Sequence, residues 1–588
     1  MASRGKYLRI MVRFALAALL VLGVFLLRRY TVEALEWYGV GRGYATFLGL
    51  VAIATLLFRF SPPGTKVSET EGRVVWGILA GACGLLFTLF YLHDIVYNPL
   101  VLFGEWRSSS ATSVRIWEKL SSGSLLPPPG YNLGMGYLYL PLYALVGESV
   151  CAVKGLYLAC WTLAVGTLTA VWWRQYRYEG ALSILLVVST LAYGLAALRD
   201  YKWHAVAALL TATLFWVMSR IERKKGIGGY LLLACMLAAG IVCYHACIAY
   251  VVFAALYLLL GRESRPGGKC GIWMGGRGVG LLALIAVAAA AAWMCRGFFS
   301  HRLADQLRWT FAGGLGSWNT KFHLVTFLSL FFEKTSPVAS LALVIGLGAG
   351  IADFRREWIA RFSTTGFLVI GLAVMITFPF TDISHANCII MFVFLVMAYG
   401  IYSVLTRIPW VMARQIAIVL LAWCLARQEY ALYETHFWNN GCQKLYPENY
   451  NMQGVVALYD LRMSETPSKG VIFFPGRGVE AAAGGFGWWI HDDVFAMREY
   501  SPWGCTLRYF RSLEGLRRGV ESLMAARAGT CSPIKAYIST AVGRKSLDEA
   551  LRGLSYQCNE ITYFEREWRS RIPVYKLVIY SADGGATE

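Results

Sequence analysis

Long apolar runs alternate with short basic stretches along most of this chain. The runs are roughly 17–25 residues long, the length at which a helix crosses a hydrocarbon core. Backbone groups in lipid must be satisfied within the segment, so the pattern predicts helices. About thirteen runs meet this criterion. They lie near 8–28, 43–60, 73–93, 152–173, 180–198, 201–219, 228–243, 246–260, 278–296, 337–352, 364–380, 387–405 and 411–427. Beyond that the periodicity changes. Val471-Ile-Phe-Phe474 and Ile534 to Ile538 read as strands, and Ser512 to Arg527 has helical spacing. Ser546-Leu-Asp-Glu549 has the form of a capping box opening a short helix. Ile561 to Glu565 and Pro573 to Tyr580 read as a closing hairpin. The expected fold is a polytopic α-helical membrane protein with a C-terminal extracytoplasmic α/β domain.

Charge orients the helices. With the N-terminus in the cytoplasm, the cytoplasmic loops include Arg174 to Arg177, Arg220-Ile-Glu-Arg-Lys-Lys225, Arg262 to Arg277, Arg355-Arg356 and Arg407 to Arg414. These are short and densely basic, and the opposite loops are longer and more dilute in Lys and Arg, as the positive-inside rule requires. An odd number of spans places the C-terminus outside. The first run follows Arg4, Lys6 and Arg9, ends in Arg28-Arg29 and has no small-x-small cleavage site. It reads as an uncleaved anchor. The implied division is an N-terminal pair of spans (1–72), a transmembrane core (73–427) with an outer loop at 93–150, and an extracytoplasmic domain (428–588).

Composition agrees. Of 588 residues, 57% are hydrophobic and 15% are charged, against about a quarter charged in soluble domains. The net charge of +20 raises nucleic acid as a partner. The basic residues flank apolar runs, where membrane lipids account for them, and no zinc-finger or RNA-binding motif is present. Cys442, Cys505, Cys531 and Cys558 lie in the tail. An even number in an exported domain permits disulfides, with three possible connectivities.

Three outer segments are large enough for chemistry: about 93–150, 296–337 and 428–588. The first carries His93-Asp94, then Phe103-Gly-Glu105-Trp-Arg107, an amphipathic stretch from Ser110 to Leu120, Gly123, a Pro127-Pro-Pro129-Gly130 turn and Tyr137-Leu-Tyr-Leu-Pro-Leu-Tyr143. An amphipathic helix followed by an aromatic, proline-rich segment can lie on the bilayer surface. Asp94 and Glu105 would then sit at the membrane–water boundary. A carboxylate there can take the proton from an acceptor hydroxyl as it attacks. The bland readings are a solvated helix end for Asp94 and a pair with Arg107 for Glu105.

This loop resembles that of the GT-C membrane glycosyltransferases, which include protein O-mannosyltransferases and the aminoarabinose transferase of lipid A. In that superfamily an acidic motif in the first large outer loop precedes an amphipathic helix, a Gly and a Pro/Tyr-rich juxtamembrane helix. Glu105, Ser110 to Leu120, Gly123 and Tyr137 to Tyr143 fill those places. Trp172-Trp-Arg174-Gln-Tyr-Arg177, Leu198-Arg199-Asp200-Tyr201 and Phe380-Thr-Asp382-Ile-Ser-His385 extend the likeness, which covers about residues 73–588. The usual acidic Asp-Glu pair is absent, so either Glu105 or Asp94 fills the base role, with Glu105 preferred. The resemblance implies an inverting transfer of sugar from a polyprenyl-phosphate donor to a glycan, lipid or protein acceptor.

A lipid phosphate calls for cations near the outer interface. Arg199, Lys202 and His204 flank one outer turn, and His245 sits at another. Arg296, His301, Arg302, Arg308, Lys321 and His323 populate the middle segment, and His385 a late turn. The preferred phosphate ligands are Arg199, Lys202, His245, Arg302 and His385, although interfacial cations also snorkel to headgroups without a specific role.

Other signals are weaker. Cys243-x-His245-x-Cys247 lacks a fourth metal ligand. Neither HExxH nor paired CxxC occurs, so no cofactor is expected, and a divalent metal at the phosphate has no visible ligand set. Gly476-Arg-Gly478-Val-Glu-Ala481 mimics a dinucleotide fingerprint but stands in the exported tail. His491-Asp492-Asp493 reads as a polar turn. No P-loop and no nucleotide-sugar DxD motif appears. A transporter or lipid flippase would carry charges buried near mid-membrane and internal repeats; the spans show few such charges and no repeat. An O-antigen-type polymerase or ligase would share lipid-linked substrates. The chain has no N-x-S/T acceptor site, which favours a bacterial inner membrane.

Overall fold

The computed structural model describes residues 2–32, 37–61, 76–85, 133–146, 150–191, 204–224, 227–243, 247–260, 318–328, 335–377, 387–432, 513–526, 534–539, 543–562 and 573–580, with scattered positions between 282 and 332. Its contacts divide into two units, one of 1–94, 118–138 and 155–433, the other of 95–117, 139–154 and 434–588.

The first unit is helical. Its elements include α1 (Ala2–Val32) and α2 (Trp37–Arg59). An internal helix, α3 (Leu133–Val146), holds Pro141 and covers the Tyr/Pro-rich segment across the division of the units. After it come α4 (Val150–Thr190), α5 (His204–Lys224), α6 (Ile227–Cys243) and α7 (Ile248–Leu260). They are followed by α8 (Trp318–Leu328), α9 (Pro337–Ala352), α10 (Trp358–Thr377), α11 (Asn387–Leu405) and α12 (Val411–Leu432). Three described helices are long and apolar enough to cross a membrane, at Met11–Tyr30, Val40–Arg59 and Val411–Leu432. Shorter apolar helices include Ile227–Ile241, Ile248–Leu260, Pro337–Ala352, Trp358–Ala373 and Ile389–Leu405. Phe14, Leu22 and Phe25 on α1 and Met412, Leu420 and Trp423 on α12 are exposed. Apolar side chains so placed face lipid, and the unit is that of a helical membrane protein.

The helix α4 contains the reversal that the sequence places at Arg174 to Arg177. Arg177 has φ 58° and ψ −142°, outside the helical region. A Cβ added to Gly180 would lie 3.3 Å from the Trp172 carbonyl oxygen, eight residues earlier. A continuous helix would separate those residues by about 12 Å along its axis. The chain therefore folds back here, and α4 comprises two antiparallel pieces.

Side-chain contacts sort the helix ends into two layers. At the near end, which carries the start of α1, Arg13 donates to the Phe60 carbonyl at 2.6 Å, and Arg407 lies 4.5 Å over the Phe58 ring. Tyr176 meets Glu357, Tyr399 meets Asp353, Arg414 meets Glu179 and Arg361 meets Glu222 in the same layer. At the far end Arg28 reaches Ser340 and the Thr335 carbonyl, Tyr44 reaches the Leu324 carbonyl, Thr211 meets Tyr250, and Glu429 meets the Ser336 amide. Successive helices thus run in alternating directions.

The tightest crossing joins α9 and α11. A Cβ on Gly400 would lie 2.7 Å from the Gly346 nitrogen and 2.8 Å from the Ala342 carbonyl oxygen. A Cβ on Gly346 would strike the Val396 carbonyl. Small residues let helix backbones approach where lipid offers no hydrophobic drive to association.

In the second unit, α13 (Leu513–Ala526), β1 (Ile534–Ser539), α14 (Arg544–Ala550), β2 (Ser555–Thr562) and β3 (Pro573–Tyr580) form a small α/β fold. The sheet order is β1-β3-β2, with both pairings antiparallel. Leu516 and Val520 from α13 and Leu547 and Leu551 around α14 pack with Ile534, Ala536, Ile538, Leu577 and Ile579. Two expectations need correction. The short helix begins at Arg544 after Gly543, whose φ of 77° favours glycine, so Ser546 lies inside it rather than capping it. The first hairpin strand is Ser555–Thr562, earlier than Ile561 to Glu565, because its register with β3 starts at Ser555 opposite Tyr580. Cys558 is a free thiol. Val471 to Phe474, Gly476 to Ala481, His491 to Asp493, Cys442, Cys505 and Cys531 lie outside the described residues.

Candidate functional site

The preferred site residues, Asp94 and Glu105 as bases and Arg199, Lys202, His245, Arg302 and His385 as phosphate ligands, all lie outside the described residues. The structure does describe the helices that follow several of them. Arg199 and Lys202 precede α5, His245 precedes α7, and His385 precedes α11, each by two to five residues of sequence.

Those three helices are held together within their first halves. Thr211 Oγ1 on α5 lies 3.0 Å from Tyr250 Oη on α7, and both residues are buried. The Tyr250 ring lies 6.0 Å, centroid to centroid, from Phe392 on α11. Phe253 on α7 continues the cluster, 5.1 Å from Phe392 and 4.9 Å from Phe362 on α10. Aromatic pairs at these separations and tilts are favourable beyond simple burial. The result is three helices packed side by side and running in the same direction. The dipole of each points its positive end toward the far end.

A fourth N-terminus at this end is already neutralised. Ser336 caps α9, its hydroxyl accepting from the Ala339 amide at 3.1 Å, and Pro337 occupies the first turn, where no amide is needed. The Ser336 amide donates to Glu429, which is fully buried, at 2.7 Å. A carboxylate at a helix start is favoured by the dipole. Glu429 therefore reads as a structural anion. Nearby in sequence, the middle segment includes the helix α8, which carries Lys321 and His323, both buried.

The near end is chemically different. Arg414 is 1% exposed and donates to Glu179 at 2.7 Å and to the Ile408 carbonyl at 2.6 Å. The sequence places it in an open basic loop. It is instead buried on α12, because Glu179, 235 residues away, supplies the charge that its burial demands. Glu222 accepts from Arg361 at 2.7 Å and from Tyr257 at 2.8 Å. Arg361 also lies 5.0 Å from the Tyr257 ring centroid. Tyr176, Tyr399 and Tyr402 stack beside them, Tyr176 on Tyr402 at 4.1 Å. These residues, invisible as a group in the sequence, pair with one another and tie the helices together at the near end.

No group of metal-ligating side chains occurs among the described residues. No family model matches the chain, and no curated protein does. Among solved structures, the chain is similar to the Archaeoglobus fulgidus oligosaccharyltransferase crystallised with zinc and sulfate, at 11% identity and a TM-score of 0.43, covering 83% of this chain and 72% of that one. It is also similar to ArnT from Cupriavidus metallidurans. The form bound to undecaprenyl phosphate aligns at 11% identity and TM-score 0.41, covering 89% and 100%, and the apo form at 12% and 0.41, covering 88% and 100%. At TM-scores below 0.5 this likeness by itself assigns no activity.

Proposed function

We propose that the chain is an integral membrane glycosyltransferase. It moves a sugar from a polyprenyl-phosphate donor to a glycan, lipid or protein acceptor on the extracytoplasmic face. The observation that carries the reading is that α5, α7 and α11 pack side by side with their starts directed to the far end. Arg199, Lys202, His245 and His385 are joined to those helices by a few peptide links. Helix amides, the positive dipole ends and basic side chains make an anion site of the kind a lipid phosphate occupies. The leaving oxygen of such a donor needs positive charge around it as the sugar bond breaks. Arg302 completes the ligand set, and Lys321 and His323 add two buried basic side chains to that end.

The acceptor hydroxyl attacks the anomeric carbon while Glu105, or Asp94, takes its proton. The bond from the sugar to the phosphate oxygen breaks, and polyprenyl phosphate departs with inversion. In this reading the near end faces the cytosol, the far end and the tail face outward, and the setting is a bacterial inner membrane. No nucleic acid and no redox cofactor takes part.

The test uses the full chain in nanodiscs with polyprenyl-phosphate sugars and measures release of the lipid phosphate. Glu105→Gln is expected to slow transfer by about 10²–10⁴-fold, the usual worth of a general base, with Asp94→Asn less affected. Full activity in both variants removes the base assignment. No turnover by the unmodified protein on any such donor removes the class.

A further inference from the structure

A second anion-friendly place lies at the opposite end of the bundle. Arg174, Trp216, Arg220 and Arg223 line an open cavity of about 250 Å³. All three arginines are exposed. Their charges are close enough to repel one another. Two of them are also held by contacts within α5. Arg220 lies 4.9 Å from the Trp216 ring centroid. Arg223 donates through Nε to the Ser219 carbonyl at 2.9 Å and through a terminal nitrogen to Ser219 Oγ at 3.2 Å. Arg174 stands at the end of the first piece of α4, just before the reversal at Arg177.

The neighbouring carboxylate does not relieve this repulsion. Glu222 sits between Arg220 and Arg223 in sequence, but its oxygen is engaged by Arg361 and Tyr257. None of the three arginines forms an ion pair among the described residues. A guanidinium has five donors, so most of the donors in this cavity face open space. The cavity follows the apolar stretch of α5, with Trp216 at the boundary where indoles settle at the headgroup level.

We propose that this cavity binds the phosphate of an anionic phospholipid headgroup at the near-end membrane surface. Two guanidinium forks approach phosphate oxygens as bidentate donors, and the Trp216 ring packs beside the glycerol. This site is separate from the donor site proposed above, lies at the other end of the helices and does not rest on the transfer reaction.

The experiment is native mass spectrometry of the detergent-released protein, reconstituted first with zwitterionic lipid and titrated with an anionic phospholipid. The expected result is one saturable lipid, with affinity falling about tenfold or more in Arg174→Gln/Arg220→Gln/Arg223→Gln, since cations near the surface attract anionic lipid. Thermal melting of that variant in detergent should match the unmodified protein, which separates loss of the ligand from loss of the fold. Arg355→Gln/Arg356→Gln, which removes two exposed charges at the same end, should leave the saturable lipid in place. Equal lipid retention by the triple variant overturns the proposal, as does equal loss in the Arg355/Arg356 variant. Displacement of the lipid by millimolar inorganic phosphate would make the ligand a soluble phosphate and overturn the lipid assignment.

Discussion

The two ends of the helical unit solve the problem of polar groups beside a membrane in opposite ways. At the near end, charges are buried and cancel within the protein: Arg414 with Glu179, and Arg361 with Glu222 and Tyr257. At the far end, Arg28 reaches a carbonyl and a hydroxyl, Glu429 meets the Ser336 amide, and α5, α7 and α11 point their positive ends in one direction. The first arrangement fixes the fold and leaves the exposed arginines around Trp216 as the groups there that can meet a ligand. The second directs three helix dipoles to one side, a field that favours an anion. The difference teaches that density of charge in a loop is a poor guide to where chemistry occurs. The most basic loops of this chain feed the near end.

The comparison predicts its largest stability effect at the near end. Arg414→Ala leaves Glu179 buried without its partner and should cost about 3–5 kcal/mol, read as a large fall in melting temperature in detergent. Arg414→Met/Glu179→Leu should recover much of the loss. If the single substitution is silent, the pair does not hold that layer. Glu222 is 24% exposed at its side chain, so Glu222→Gln should cost less, toward the low end of about 1–3 kcal/mol. A comparable cost, about 1–3 kcal/mol by overpacking, is expected of Gly346→Ala. There the added methyl meets backbone of α11, which cannot swing aside. An unchanged melting temperature would mean that α9 and α11 slide apart freely.

The smallest effects belong to the tail, whose ion pair is exposed. Arg544 and Asp548 sit 2.9 Å apart at 46% and 47% exposure, so removing that pair should not measurably move the melting temperature. Its hydrogen bonds do shift titrations. The Tyr556 hydroxyl bonded to Asp548 holds that carboxyl below its ordinary range. The small stabilisation this gives is present above that range and fades as the pH falls through it. Burial first, and then the Asp548 bond, push Tyr556 up from 10.0 to about 12. The fold therefore favours the protonated phenol, and its contribution is lost as the pH rises from about 10 toward 12. The ultraviolet titration of the chain minus that of Tyr556→Phe should show a midpoint near 12. A midpoint near 10 would mean the bond does not form in solution.

Much of the helical framework was legible in the apolar runs. Pro337–Ala352 and Asn387–Leu405 fall where hydropathy places them, because length and apolarity alone define them. The reversal near Arg177 was legible from the basic residues between two apolar runs. What could not be read was pairing across the chain. Nothing local to Arg414 announces Glu179, and nothing local to Thr211 announces Tyr250, since both contacts arise only when distant helices pack. The supposed cap at Ser546 failed for a local reason: Gly543 with positive φ offers an earlier start, and Arg544 then pairs with Asp548 one turn on. The candidate phosphate ligands were named by residue type and by side of the membrane. The N-termini that would serve beside them emerge only from tertiary packing.

The central claim is that a lipid phosphate is held where α5, α7 and α11 begin. Photocrosslinking with a polyprenyl phosphate carrying its reactive group beside the phosphate, followed by peptide mapping, tests it most directly. Adducts in the segments leading into His204, Ile248 and Asn387, competed away by unlabelled polyprenyl phosphate, are the predicted result. Saturable adducts confined to the near-end layer around Arg361 and Arg414 would contradict it.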